Sequence, residues 1–201
     1  MTAQATLPAL NSSVEEPRVY LEGVSWQQYE ALLSTLGDDF PALRLSYLDG
    51  TLEVMTTSPL HEELKKIIGM LLEAYLQETR TRFHGIGSAT FRRQSRQRGL
   101  EPDECYCIGE RKEIPDIAVE IVLTSGIVDK LDIYQGLGIK EIWVWESGRF
   151  TLYQLQTNGY ETISRSGLLP KCDIDQLAQY VKPKEQFDAV MDYREAIRQS
   201  A

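Results

Sequence analysis

The residues of this chain best suited to chemistry gather in its middle third. Glu101-Pro102-Asp103 is followed by Pro115-Asp116-Ile117-Ala118-Val119-Glu120, and then by Asp129-Lys130. Glu120 interrupts an otherwise apolar run from Ile117 to Leu123. A carboxylate inside a buried strand is costly to ionise unless a cation, a base or water compensates it. Side chains alternate across a strand, so Asp116, Ala118, Glu120 and Val122 share one face and Ile117, Val119 and Ile121 the other. Asp103, at the start of the neighbouring strand, brings a second carboxylate. Two carboxylates completed by waters suit Mg²⁺ or Mn²⁺. Such an ion polarises a phosphate and lowers the pKa of an attacking water, and a nearby lysine orients that water or steadies the developing charge. Asp103 and Glu120 are the candidate metal ligands, with Asp116 as a further candidate on the face of Glu120.

Each residue also has an ordinary reading. Asp103 could be a turn residue after Pro102, Glu120 a buried acid paired with an arginine, and Lys130 an exposed helix lysine. His61 could serve as a first-turn cap, where backbone groups lack helical partners. The basic strip Arg92, Arg93, Arg96 and Arg98 is either a solvated face or a phosphate contact. Cys105, Cys107 and Cys172 read as free thiols, since one C-x-C offers too few ligands for zinc.

The elements that must position these groups follow from periodicity. Ser25 caps a helix carrying Trp26, Tyr29, Leu32, Leu33 and Leu36, ended by Gly37-Asp38-Asp39. Leu43 to Tyr47 and Thr51 to Met55 alternate around Asp49-Gly50, a hairpin signal. Ser58 and Pro59 open a second helix, with Leu60, Leu64, Ile67, Ile68, Leu71, Leu72 and Tyr75 on one face and His61 beside that stripe. A strand over 88–94 and an Arg-rich loop lead to the strands 103–108 and 116–123, which pair as a hairpin. Ser125-Gly126 leads into a helix with Ile127, Leu131, Tyr134 and Leu137, closed by Gly138. A hairpin of 141–145 with 150–155, a short return strand at 162–164 and helices over 173–180 and 186–198 complete the chain. This order predicts one mixed β-sheet flanked by helices, an α/β sandwich.

The arrangement resembles the PD-(D/E)XK nuclease superfamily, in which Pro-Asp begins one strand and Glu-x-Lys lies on its hairpin partner. Pro102-Asp103 and Glu120 fit, while Val122 stands where the lysine would be. The same departure marks the Uma2-type (DUF820) branch, which this chain resembles over roughly residues 25 to 180. The shared pieces are Tyr47-Leu48-Asp49-Gly50, Pro59-Leu60-His61, Pro102-Asp103, Val119-Glu120-Ile121, Lys130 with Tyr134, and Gly138-Ile139-Lys140-Glu141-Ile142-Trp143. Ile142 replaces the branch's usual tyrosine, and the loop from Glu120 to Lys130 is short. The resemblance implies a restriction-endonuclease-like fold and Asp103 and Glu120 as metal ligands. It implies further that Lys130 is the displaced lysine reaching back from its helix and that His61 faces the same pocket.

Composition sets the outer limits. The chain has 201 residues, 42% of them hydrophobic, and a net charge of −9. That charge argues against indiscriminate coating of DNA, which needs clustered Lys and Arg. It leaves room for a nuclease with a local basic strip. No apolar run reaches the roughly 18–20 residues that span a bilayer. The expectation is a cytoplasmic protein with a flexible tail over 1–18, one endonuclease-like domain over 19–182 and a C-terminal helix over 183–201. The expected activity is metal-dependent hydrolysis of phosphodiesters in DNA, with no organic cofactor, because P-loop and GxGxxG patterns are missing. A homodimer is expected, with Trp143, Trp145 and Tyr153 near its surface. The rival expectation is a binding or scaffold protein on the same fold, or a partner that works through protein contacts.

Overall fold

The computed structural model describes residues 16–36, 40, 42–124 and 129–200. The chain enters through strand β1 (Arg18–Leu21) and helix α1 (Trp26–Leu36). Ser25 and Gln28 close the start of α1 reciprocally: the Ser25 hydroxyl accepts from the Gln28 N–H at 3.3 Å, and Gln28 Oε1 accepts from the Ser25 N–H at 2.8 Å, a capping box. Strands β2 (Leu43–Leu48) and β3 (Thr51–Thr56) form the expected hairpin. Asp49 and Gly50 both take positive φ, 46° and 90°, the left-handed pair that a tight two-residue turn requires. Helix α2 (Pro59–Glu78) starts as its sequence dictates, with the Ser58 hydroxyl accepting from the His61 N–H at 3.2 Å.

Strand β4 (Phe83–Gly85) precedes a second hairpin, β5 (Phe91–Arg93) and β6 (Arg98–Leu100), turned by a 3-10 segment over Gln94–Arg96. Part of the expected Arg-rich loop is therefore strand. Strands β7 (Glu104–Ile108) and β8 (Ile117–Val122) pair antiparallel as expected. Helix α3 (Lys130–Leu137) begins on Asp129, whose carboxylate accepts from the Leu131 and Asp132 N–H groups, and stops at Gly138 in the left-handed region. Strands β9 (Glu141–Glu146), β10 (Arg149–Gln156) and β11 (Gly159–Ile163) and helices α4 (Ile174–Gln179) and α5 (Gln186–Ser200) follow. The expected stop at Gly37-Asp38-Asp39, and Ser125, Gly126 and Ile127, lie outside the described residues.

The strands divide between two sheets rather than forming the one that was expected. The first runs β1-β3-β2-β6-β5 and is antiparallel throughout; the second runs β11-β10-β9-β8-β7-β4. Among the described residues only β8 and β9 pair in parallel, and α3 makes the crossover that a parallel pair needs. Helix α2 packs Leu64, Ile67, Ile68 and Leu71 on one face of the six-stranded sheet, against Ile117, Val119, Ile121 and Trp143. On the other face α3 packs Ile133, Tyr134 and Leu137 against Cys105, Ala118 and Ile142, and against Phe91 and Leu100 of the five-stranded sheet. The α3 helix is thus wedged between the two sheets. Trp26, Tyr29, Tyr47 and Leu52 fill a third cluster under α1.

Two expectations change in this architecture. Trp143 and Trp145 are not at a surface: both are buried, with Phe150 set edge-on to each ring. Of the 1–18 segment, Glu16 is buried and Arg18 already belongs to β1. The three cysteines are buried and unpaired. Among the described residues no helix is long and apolar enough to cross a membrane.

Candidate active site

Ala118 packs in the α3 layer, so Glu120, two residues on, faces the same side of β8. The alternation expected from sequence holds, and it sends a carboxylate into a nearly sealed space: Glu120 is 2% exposed. Lys130, the first residue of α3, donates from Nζ to Glu120 Oε2 at 2.6 Å. One helical turn later the Tyr134 hydroxyl donates to Glu120 Oε1. The i, i+4 spacing places both donors on one face of α3. The short chain from Glu120 to Lys130 is long enough for the lysine to return to the strand.

Asp103 ends the loop before β7 and reaches across to β8, where its Oδ2 accepts from the Ile121 N–H at 2.8 Å. Its Oδ1 meets His61 Nε2 at 2.8 Å, and His61 Nδ1 meets Glu16 Oε1 at 2.7 Å. His61 is a buried link between two acids as well as the first-turn residue its backbone shows. Arg18 then closes the cluster from β1. It donates to Glu53 Oε1 at 3.0 Å, to the Thr124 carbonyl at 2.6 Å and more loosely to Glu16 Oε2 at 3.5 Å.

Electrostatics follows from this enclosure. Burial pushes the Glu120 carboxyl up and nearby Asp103 adds to the effect, against the pull of Lys130 and Tyr134. Burial also acts to raise Asp103, but the His61 hydrogen bond, the charges of His61 and Lys130 and the Ile121 N–H outweigh it and hold Asp103 low. For His61, burial favours the neutral ring, yet the Asp103 and Glu16 carboxylates prevail and lift it to about 9. Burial would lower Lys130, but Glu120 and Asp103 keep it charged beyond its ordinary range. Two acids, one kept low and one pushed up, with a lysine and a phenol in contact, mark this cluster as the candidate site.

The structure brings together all four residues singled out from sequence, Asp103, Glu120, Lys130 and His61. Asp116 is not among them. Its carboxylate binds Lys112, Lys140 at 2.8 Å and the Ile108 N–H at 2.9 Å, which pins the β7–β8 turn. Sequence reasoning missed Glu16, Arg18 and Glu53. Glu53 lies between Leu52 and Val54 in an alternating strand, a pattern that ordinarily points the acid to water. The basic strip is divided in its use. Arg98 is tied to Asp49 at 2.6 Å and Asp132 at 3.2 Å, and Arg93 donates to the Gly136 carbonyl at 3.3 Å. Arg92, Arg93 and Arg96 remain exposed.

An acid opening one strand, an acid inside its antiparallel partner and a lysine returning from the crossover helix define the frame of a restriction-endonuclease-like protein. The chain belongs to the Uma2 family, whose model, described as "Putative restriction endonuclease", matches residues 26–174. No curated protein matches the chain.

Proposed function

We propose that this chain is a divalent-metal-dependent endonuclease that hydrolyses phosphodiester bonds in DNA. The observation that carries the reading is the contact of Lys130 with Glu120 beside Asp103, which leads into the paired strand and accepts from the Ile121 N–H. The donor set suits a hard cation. Asp103 and Glu120 are oxygen ligands, and Mg²⁺ is commonly held by one or two carboxylates with waters and substrate phosphates. No group of three or more His, Cys, Asp or Glu side chains is arranged around a metal position among the described residues, so waters and phosphate oxygens have to complete the shell. A bound Mg²⁺ or Mn²⁺ would polarise the phosphate and make a nearby water more acidic.

The chain's own groups do the rest. Asp103 and Glu120 hold the cation, and the Ile121 N–H and His61 fix the Asp103 carboxylate. Lys130, keeping its proton, faces the charge that develops on the phosphate. Tyr134 orients Glu120. The exposed Arg92, Arg93 and Arg96 on the β5–β6 hairpin offer backbone contacts to a nucleic acid.

A second reading has its own support. Every oxygen of Asp103 and Glu120 already has a protein partner, as in a scaffold whose acids only lock the core. Calorimetric titration of Mn²⁺ into the wild type, Asp103→Asn and Glu120→Gln separates the two. The nuclease reading expects saturable binding in the wild type, loss of it in both variants, and metal-dependent nicking of plasmid DNA by the wild type alone. Absence of wild-type binding would leave the scaffold.

A further inference from the structure

The acids of the site are saturated with one exception. Glu53 is 2% exposed; its Oε1 is held by Arg18 at 3.0 Å, and its Oε2 is buried without a hydrogen-bond partner among the described residues. A buried carboxylate oxygen left unpaired is uncommon and costly. Glu53 stands on β3, in the five-stranded sheet, whereas Asp103 and Glu120 belong to the six-stranded side. It nevertheless stands near enough to Lys130 for its charge to act on that ammonium, and Arg18 ties it to the site by donating also to the Thr124 carbonyl at 2.6 Å. Lysine carries three donors on a flexible four-carbon stem, and in this structure Lys130 spends itself on Glu120 Oε2. A cation cannot take that oxygen while the ammonium holds it. A displaced ammonium in a buried site needs another acid.

We propose that Glu53 is the positioning residue for Lys130, receiving its ammonium on the free Oε2 when Glu120 is given over to a divalent cation. The proposal rests on Asp103 and Glu120 being metal ligands. It explains why a further acid is buried on the facing sheet without being arranged as a ligand. It also gives Arg18 a task, since that guanidinium fixes Oε1 and leaves Oε2 free. With one N–H on Glu53, the ammonium keeps two for the reacting phosphate or water.

Mn²⁺ titrations of the full chain test it as a double-mutant cycle. Glu53→Gln preserves the acceptor for Arg18 and should weaken Mn²⁺ binding about tenfold, the lower range for leaving a buried donor without its acceptor. In a Lys130→Met background the same change should cost less than about twofold, because no ammonium has to be rehoused. An equal loss in both backgrounds would mean that Glu53 acts on the cation directly, and no loss in either would mean that it does nothing; both overturn the proposal. Wild-type protein that binds no Mn²⁺ would bring down the metal reading itself, and this one with it. If Glu53→Gln does not fold, the wild type still decides. Its Lys130 ammonium resonance, assigned with Lys130→Met, should shift on Mg²⁺ addition and stay protected from exchange. Loss of that protection would place Lys130 in solvent instead.

Discussion

At the scale of single residues, His61 shows how partners overturn burial. An imidazole 1% exposed should lose its proton, yet Asp103 and Glu16 clamp both ring nitrogens and raise it to about 9. The sign of the linkage is that of a raised pKa. The folded state binds the proton more tightly, so the stabilisation is complete below about pH 6.5 and is lost as pH climbs through about 9. At two and a half pKa steps the contribution is up to about 3 kcal/mol. Urea unfolding should therefore show stability falling between about pH 7 and 9.5 in the wild type, with that slope flattened in His61→Gln. Lys130 yields a second expectation. Under the proposed function it competes with the cation for Glu120, so Lys130→Met should tighten Mn²⁺ while lowering cleavage by about 10²–10³, the usual cost of a lost transition-state donor. Asp103, Glu120 and Lys130 were legible because an acid in an apolar strand and a lysine after it are local signals. Glu16 and Arg18 were not. Their partners His61, Thr124 and Glu53 are far away in sequence, and no local pattern records such pairings.

At the scale of elements, the fold places the site by wedging α3 between two sheets, and small residues set the spacing. Gly99 on β6 faces the Tyr29 ring, which stacks on Tyr47 at 4.8 Å and 14°. A Cβ at position 99 would strike that ring, which is fully buried and cannot yield. Gly99→Ala should cost about 2 kcal/mol by overpacking, seen as a lower urea midpoint with an unchanged slope. Elsewhere a polar clamp holds the chain. Glu141 on β9 is fully buried and accepts from Ser166, Trp143 and the Gly167 and Leu168 N–H groups at 2.7 to 3.1 Å. Glu141→Gln would turn an amide donor toward these donors and should destabilise by about 3 kcal/mol. The helices and hairpins with strong caps, Ser25, Asp49-Gly50, Ser58-Pro59 and Gly138, were readable because each is written within a few residues. The β5–β6 hairpin was hidden by its arginines, whose ties to Asp49, Asp132 and Gly136 compensate for a poor strand pattern.

At the scale of the whole molecule, the division into two sheets could not be read from periodicity. A strand's alternation records that a face is buried, not against which sheet. What joins the sheets near the site is a polar knot rather than a shared strand. Arg18 extends from the edge strand β1, fixes Glu53 on the neighbouring β3 and reaches Thr124, just beyond the end of β8. Glu16 joins the same knot through His61 and through the Thr124 hydroxyl at 3.2 Å. The N-terminal segment therefore acts as a strap across the site. Arg18→Met keeps the aliphatic stem and removes the fork. It should strand Glu53 with neither carboxylate oxygen paired and release the Thr124 carbonyl, costing about 3–5 kcal/mol as a broken buried pair does. The loss should be local before it is global. Amide exchange should accelerate first at Thr124 and in the opening turn of α2 around His61, while the α2–α5 face stays protected. Uniform acceleration through α2 and α5 would instead mean that the two sheets unfold as one unit and that the strap adds nothing of its own.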